Sequence, residues 1–572
     1  MNYVPVDGIR LLAVETSVLV ACTGLALLLF VFVGKFMPRP RWLDAILSRN
    51  WRGVVLVIGV ALVGRALVMP WTGIPQPRIN DEYSYLLMGD TFSHFRLANP
   101  TPPAWRHFET FHVNLTPTYH SKYPVAQGLV LAFGQTIFRQ PWVGVYLSTA
   151  ALCGAICWAL QAFVPQGWAL LGGLLAVFRI ALFSYWMNSY WGGSVPALGG
   201  ALAVGAAVRL FAPSRTEQNR VVLASVFAFS LLLLATSRPF EGFAFSLPLL
   251  AYFVYHVTTG RLHQEIKLRS TVLPVMIIGI GGAVLMGYYN QRTTGNPLLM
   301  PYVLNERTYS SLPLFLGQRV KIQAPARDPV FAKYYVAEAE EHGLAQTSSF
   351  SGLIGWEVRR LGHNWLFYVG PALTFPVLLG LLLCAKQRRL WIVLAVSITT
   401  GIAVGLCVFT QVHYFSPATI AIYIFCIEGL RHLWDQQAKG EQAFVVAVCA
   451  TVLVVTITRQ TASSALNTVF NFPDTRRLVA QQLENESGKQ LVVVSYDMAH
   501  HYPGDELVHN WADLGSEKIL WVRSKGGTND ADLCSAYPDR TFWNLTTDDV
   551  TFSLQPFELC KTITTLSNIG SR

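Results

Sequence analysis

The chain has 572 residues, of which 52% are hydrophobic and only 13% charged, with a mean hydropathy of +0.38. Soluble globular domains carry roughly 25% charged residues, so this composition excludes a water-soluble protein and places most of the chain in lipid. The net charge of +10 comes from basic residues gathered in short connections, which speaks against a nucleic-acid footprint.

A membrane-spanning helix needs about 20 apolar residues. Apolar runs at about 11–33, 54–70, 142–163, 166–185, 193–211, 220–236, 239–257, 271–289, 364–384, 390–409, 417–434 and 442–458 predict a polytopic α-helical membrane protein of about twelve spans. The first run has no strongly basic lead and no small-residue cleavage site, so it reads as a retained span and not a signal peptide. Residues 1–53 are then an extra N-terminal helix with a basic cytoplasmic loop, 54–458 the main helical module, and 459–572 a separate domain.

Basic residues fall in alternate connections: Lys35, Arg39, Arg41, Arg49 and Arg52; Arg215 and Arg220; Arg261, Lys267 and Arg269; Lys386, Arg388 and Arg389; Arg431 and Lys439. Lys and Arg accumulate on the cytoplasmic side. The intervening connections, including the loop that holds Asp81, the turn Asn188 to Gly193, the loop after Tyr289 and the turn at His413, are therefore expected to face outward.

The span 54–70 leads into Asn80-Asp81-Glu82-Tyr83-Ser84-Tyr85, two adjacent carboxylates at the head of a long outer loop running from Trp71 to about Gln140. Loops of that length are functional or disordered, and this one is too rich in aromatics for a solvated linker. A carboxylate here can serve as a general base or bind a metal. It can equally cap a helix, since Asn80 and Asp81 are good cap residues ahead of Tyr83 to Gly89.

Farther along, His107, Glu109 and His112 offer three donors within six residues. Their spacing is not HExxH, and on a helix His107 and Glu109 would diverge. A divalent metal would need Asp81 or Glu82 as well, giving Glu82, His107, Glu109 and His112 as its ligand set; hydrogen bonding in a packed loop is the plainer reading. Gln127 to Phe138 reads as a short helix against the membrane surface.

The turn Trp186 to Gly193 joins interfacial aromatics to glycines. An aromatic belt accounts for Tyr190 and Trp191, and sugar stacking would also use them. Arg238 and Glu241 sit at the outer ends of two spans, where an arginine costs roughly 2.5–3.5 kcal/mol and calls for a partner; the plain partner is Glu241. A second outer loop, Asn290 to about His363, holds Asn290, Arg292, Tyr302, Asn305 and Glu306, as ambiguous as the turn.

After about Thr458 the pattern changes. Leu491 to Ser495, Lys518 to Val522 and Arg540 to Leu545 read as buried strands, with helices at about 474–486 and 530–537. A small α/β domain follows, with no GxGxxG or P-loop and so no assigned nucleotide. Seven cysteines lie in apolar helices as ordinary core residues. Cys534 and Cys560 lie on the side where oxidation is permitted, and a disulfide between them is expected.

Asp81-Glu82-Tyr83 at the start of the first outer loop, followed by Lys122-Tyr123-Pro124 before a surface helix, resembles the GT-C glycosyltransferases. The likeness is to the branch of the protein O-mannosyltransferases and the lipid A aminoarabinose transferase, and in the loop as a whole to its uncharacterised bacterial members. Gln411-Val412-His413-Tyr414-Phe415-Ser416-Pro417 is similar to the family's Arg-Tyr-x-x-Pro element, with His413 where arginine is usual.

The resemblance implies an inverting integral membrane transferase of a bacterial inner or plasma membrane. It would move a sugar from a polyprenyl-phosphate donor to an extracytoplasmic glycan, lipid or protein acceptor. Asp81, with Glu82, is then the catalytic carboxylate, Asp81 serving as base, and Lys122, Arg238 and His413 hold the donor phosphate, a guanidinium binding it bidentately. Tyr85, Tyr123, Tyr190, Trp191 and Tyr414, with His107, Glu109 and Glu241, become sugar or acceptor contacts. The alternatives are a glycolipid transporter or flippase, which would show polar residues near mid-span and paired halves, and a non-catalytic glycolipid-binding protein. Here the polar residues gather at outer helix ends, which favours the enzyme.

Overall fold

A computed structural model describes residues 6–33, 48–212, 216–259, 268–310, 312–318, 329–409, 411–469, 475–497, 506–548 and 551–560. Lys35, Arg39, Arg41, Arg215, Arg261 and Lys267, which bear on the expected sidedness, lie outside them.

Among the described residues, eight helices are long and apolar enough to cross a membrane: Leu12–Leu29, Asn50–Thr72, Trp142–Leu160, Glu217–Ser237, Pro239–Thr259, Leu268–Thr294, Arg388–Leu406 and Lys439–Thr456. A bent pair, Phe350–Tyr368 and Gly370–Leu383, turned by 99° at its break, is long and apolar enough only when the two are taken together. This is an integral membrane protein, although the twelve expected spans do not all appear at full length. The segments expected at 166–185, 193–211 and 417–434 are the helices Gln166–Ala176, Ser194–Leu210 and Thr419–Asp435, of 11, 17 and 17 residues. Alanine and glycine let Ser194–Leu210 pack tightly: a Cβ on Gly200 would run into the backbone of Pro417. Close approach through small residues is how helices associate in lipid.

The expected span 364–384 is broken, and an ion pair sits at the break. Gly370 has φ +60°, a left-handed conformation glycine adopts freely, and any Cβ there would clash with Arg179 and Glu15. Arg179 Nη1 lies 2.9 Å from Glu15 Oε2, and both side chains are buried. Arg179 also donates to the carbonyls of Leu366 at 2.6 Å and Phe367 at 3.2 Å, while Glu15 Oε1 accepts the Ala372 N–H at 3.2 Å. Carbonyl and amide groups freed by the break are thereby satisfied.

The outer loop after Asn50–Thr72 opens with a helix, Asn80–Ser93, crosses a two-residue hairpin of β1 (Val113–Asn114) and β2 (His120–Ser121), and enters the helix Val125–Phe138. The C-terminal domain is a four-stranded sheet ordered β4-β3-β5-β6, from β3 (Lys489–Tyr496), β4 (Ile519–Arg523), β5 (Arg540–Thr547) and β6 (Phe552–Pro556). β3 runs parallel to β4 and β5, with Leu491 opposite Leu520 and Phe542. Covered on both faces, β3 reads as a continuous apolar run. Its even-numbered residues Val492 and Val494 pack on Val479 and Leu483 of the helix Thr475–Glu484. The odd-numbered Leu491 and Val493 join a core with Leu87, Phe108, Leu115 and Tyr119 of the outer loop. One sheet face therefore docks the domain onto that loop. Cys534 and Cys560 are bonded, with Cα atoms 5.4 Å apart.

Candidate functional site

The helix Asn80–Ser93 carries both carboxylates in its first turn, and the two have different partners. Glu82 closes a capping box: its Oε2 accepts the Arg78 N–H at 2.8 Å and the Ile79 N–H at 3.4 Å, and its Oε1 accepts the Tyr190 N–H at 2.9 Å. Orphan donors of a helix start are satisfied in this way. Burial pushes the Glu82 carboxyl up to about 7, against the pull of those N–H groups.

Asp81 is the more accessible of the two, with a side chain 25% exposed against 3% for Glu82 as a residue. The Tyr123 hydroxyl donates to Asp81 Oδ1 in a short hydrogen bond, and His112 Nε2 stands 3.6 Å from Oδ2. Burial raises the Asp81 pKa, while the Tyr123 hydrogen bond and the charges of Lys122 and Arg238 pull it down. His112 is itself held well below the usual imidazole range, first by burial and then by Lys122, so it stands beside Asp81 as a neutral ring. Tyr334 lies 3.2 Å from the same Nε2. Tyr123 is kept in place by stacking on Tyr85 at 4.3 Å and by Ser121 Oγ, which accepts its N–H at 3.2 Å and bonds Ser84 at 2.7 Å.

Two cations act on Asp81 from different elements. Arg238, between the spans Glu217–Ser237 and Pro239–Thr259, lays its guanidinium over the Tyr414 ring at 4.3 Å, a cation–π arrangement. Among the described residues Arg238 and Glu241 form no contact ion pair, although each still feels the other's charge; the guanidinium's near contact is the Tyr414 face, with Glu241 buried. Lys122 is buried, its Nζ 3.1 Å from Glu306 Oε1 and 4.8 Å from the Tyr302 ring centre.

Several expected contacts belong to packing. His413 is 1% exposed, hydrogen-bonded through Nδ1 to Tyr185 at 2.9 Å and set edge-on to Trp191 at 4.6 Å. Burial and Arg238 keep it neutral, so it supplies no positive charge for a phosphate. Tyr190 is buried, with its hydroxyl on the Pro75 carbonyl at 2.9 Å and its own carbonyl accepting Gln127 at 2.8 Å.

His107 and Glu109 face the C-terminal domain. His107 Nδ1 meets the Arg523 carbonyl at 2.8 Å and Nε2 meets Asp532 at 3.0 Å, with Asp530 at 3.7 Å; Glu109 pairs with Lys525 at 3.5 Å. Both side chains are taken up by contacts with the C-terminal domain. The metal set imagined from sequence is dispersed too, Glu82 on backbone amides and His112 on Asp81 and Tyr334. Among the described residues no group of three His, Cys, Asp or Glu stands together to hold a metal.

Sequence reasoning missed Tyr334 and the Glu15–Arg179 pair. For the pair a signal existed, because an ionised side chain inside an apolar run implies a buried partner. Tyr334 lies 222 residues from His112, and nothing local marks it.

No protein-family model and no curated protein matches the chain by sequence. Its fold does match solved structures. ArnT from Cupriavidus metallidurans bound to undecaprenyl phosphate aligns at TM-score 0.51 and 12% identity, over 87% of this chain and 93% of that one. The apo oligosaccharyltransferase of Archaeoglobus fulgidus aligns at TM-score 0.44 and 13% identity, over 78% of this chain. This chain spans 62% of the length of that oligosaccharyltransferase. What the comparison with ArnT shows is the GT-C fold.

Proposed function

From that fold we propose that the chain is a membrane glycosyltransferase that moves a sugar from a polyprenyl-phosphate donor to an extracytoplasmic acceptor, with inversion. One observation carries the reading: a partly exposed aspartate, Asp81, held by the Tyr123 hydroxyl, feels the charges of both Lys122 and Arg238, which come from separate elements.

In the reaction, Asp81 accepts the proton of the acceptor hydroxyl while the acceptor oxygen bonds the anomeric carbon on the face opposite the phosphate. The bond from that carbon to the phosphate oxygen breaks, and its electron pair leaves with the polyprenyl phosphate. Arg238 faces that developing charge, and preorganised charge of this kind is commonly the largest catalytic contribution. Burial makes the ionised Asp81 a stronger base than a free carboxylate. Tyr123 fixes its orientation, and the neutral His112 adds no charge that would weaken it. Lys122 joins the phosphate by sharing its charge between Glu306 and the donor. Tyr414 and Tyr85 supply the aromatic walls.

The test is transfer of labelled sugar from polyprenyl-phosphate donors in membranes with and without the chain. Chain-dependent product supports the reading; no transfer from any such donor, by correctly folded protein, opposes it.

A further inference from the structure

The helix Phe350–Tyr368 has an unpartnered face, and the geometry of its neighbour says what covers it. It meets the apolar helix Gly370–Leu383 at 99°. Gly370–Leu383 packs within the helical core through Ala372, Leu373 and Val377 and is followed by Lys386, Arg388 and Arg389, the basic signature of a cytoplasmic helix end. Its other end, at Gly370, is then at the outer surface. A helix turned through a right angle there runs along the membrane plane.

The side chains are distributed as that placement requires. At 100° per residue, Phe350, Ile354, Val358 and Leu361 fall within one arc of about 80°, and they are 81%, 49%, 62% and 66% exposed. Adjoining this arc are Ser351, Gly355 and Gly362, then Arg359 and His363, all exposed. The remaining arc faces protein: Trp356 is buried, and Arg360 donates to the Val404 carbonyl at 2.5 Å. A helix with protein on one side, an apolar stripe on another and a polar edge on the third, where Arg359 also donates to Gln346 at 3.1 Å, matches an element lying in the lipid headgroup region, its apolar face sunk about 5–10 Å.

We infer that Phe350–Tyr368 is an interfacial helix whose Phe350–Leu361 stripe rests in the outer leaflet of the bilayer, with Arg359 and His363 at headgroup level. It is also the outer strut of the candidate site. Tyr368 Oη donates to the Val412 carbonyl at 2.8 Å, two residues from the Tyr414 ring that carries Arg238. The inference does not depend on the transfer reading.

Site-directed spin labelling of the full chain in phosphatidylethanolamine–phosphatidylglycerol vesicles tests it. Single cysteines are placed at 350, 354, 358, 359, 361 and 363. The labelled unsubstituted chain serves as background, since its free cysteines are buried or half-buried. Collisions with oxygen, which concentrates in lipid, should exceed those with a water-soluble nickel chelate at 350, 354, 358 and 361, and the order should reverse at 359 and 363. Three results each overturn the inference: chelate access at every position places the helix in water, oxygen access at every position makes it a span, and spin–spin broadening at the apolar positions means a second copy covers them.

Discussion

Replacing Glu82 by alanine should cost fold stability and not chemistry, and its contacts set the size of the loss. Of the three N–H groups that Glu82 accepts, that of Arg78 belongs to an exposed residue and can turn to water. The Tyr190 N–H belongs to a residue only 4% exposed and would be stranded, at about 1–3 kcal/mol. Loss of the cap on Asn80–Ser93 adds about 0.5–2 kcal/mol. Together these come to about 1.5–5 kcal/mol, lost at the helix that carries Asp81. Thermal unfolding in detergent, followed by loss of monodisperse protein, should show a clearly lowered midpoint for Glu82→Ala. A midpoint equal to that of the unsubstituted protein, together with lost transfer, would refute the capping role and put Glu82 among the reacting groups.

The same carboxyl makes stability depend on pH. Its folded pKa of about 7 lies above the ordinary 4.5, so the folded state holds the proton more tightly and its stability falls as pH rises from about 4.5 to 7, by up to about 3 kcal/mol; a midpoint that climbs over that range would contradict this. Tyr123→Phe removes a hydrogen bond that lowers the Asp81 pKa, so the acid limb of the transfer rate should move to higher pH, and an unmoved limb would dismiss the contact. Arg238→Lys keeps the charge but loses the planar fork, and should raise the donor KM with the acceptor KM little changed; equal rises in both would remove Arg238 from the phosphate. His107→Ala, which removes the hydrogen bonds to Asp532 and the Arg523 carbonyl, should speed protease release of the C-terminal domain, whereas unchanged digestion would show that the apolar face alone holds it.

What could be read from the sequence was local in origin. The strands at 491, 518 and 540 and the helices beside them followed from short apolar runs, and the structure places β3, β4 and β5 there. The break at Gly370 carries a local mark in Gly370-Pro371, but the Glu15–Arg179 pair that satisfies it joins residues 164 apart and could not be matched from sequence. For the same reason His107 and Glu109 looked like ligands: their partners in the C-terminal domain lie more than 400 residues away. For the adjacent carboxylates the sequence points to Asn80 and Asp81 as cap residues, whereas the cap falls to Glu82. Backbone amides of Arg78, Ile79 and Tyr190 claim Glu82, leaving Asp81 to Tyr123 and His112 with a quarter of its side chain exposed.

The direct measurement is sugar transfer from a polyprenyl-phosphate donor by purified protein, comparing the unsubstituted chain with Asp81→Asn at matched folded yield. Asparagine keeps the shape and cannot take the acceptor proton. A general base contributes about 10²–10⁴-fold, so the substituted protein should lose transfer by at least about a hundredfold while its unfolding midpoint stays near that of the parent. Undiminished transfer by Asp81→Asn would contradict the assignment of Asp81 as the base.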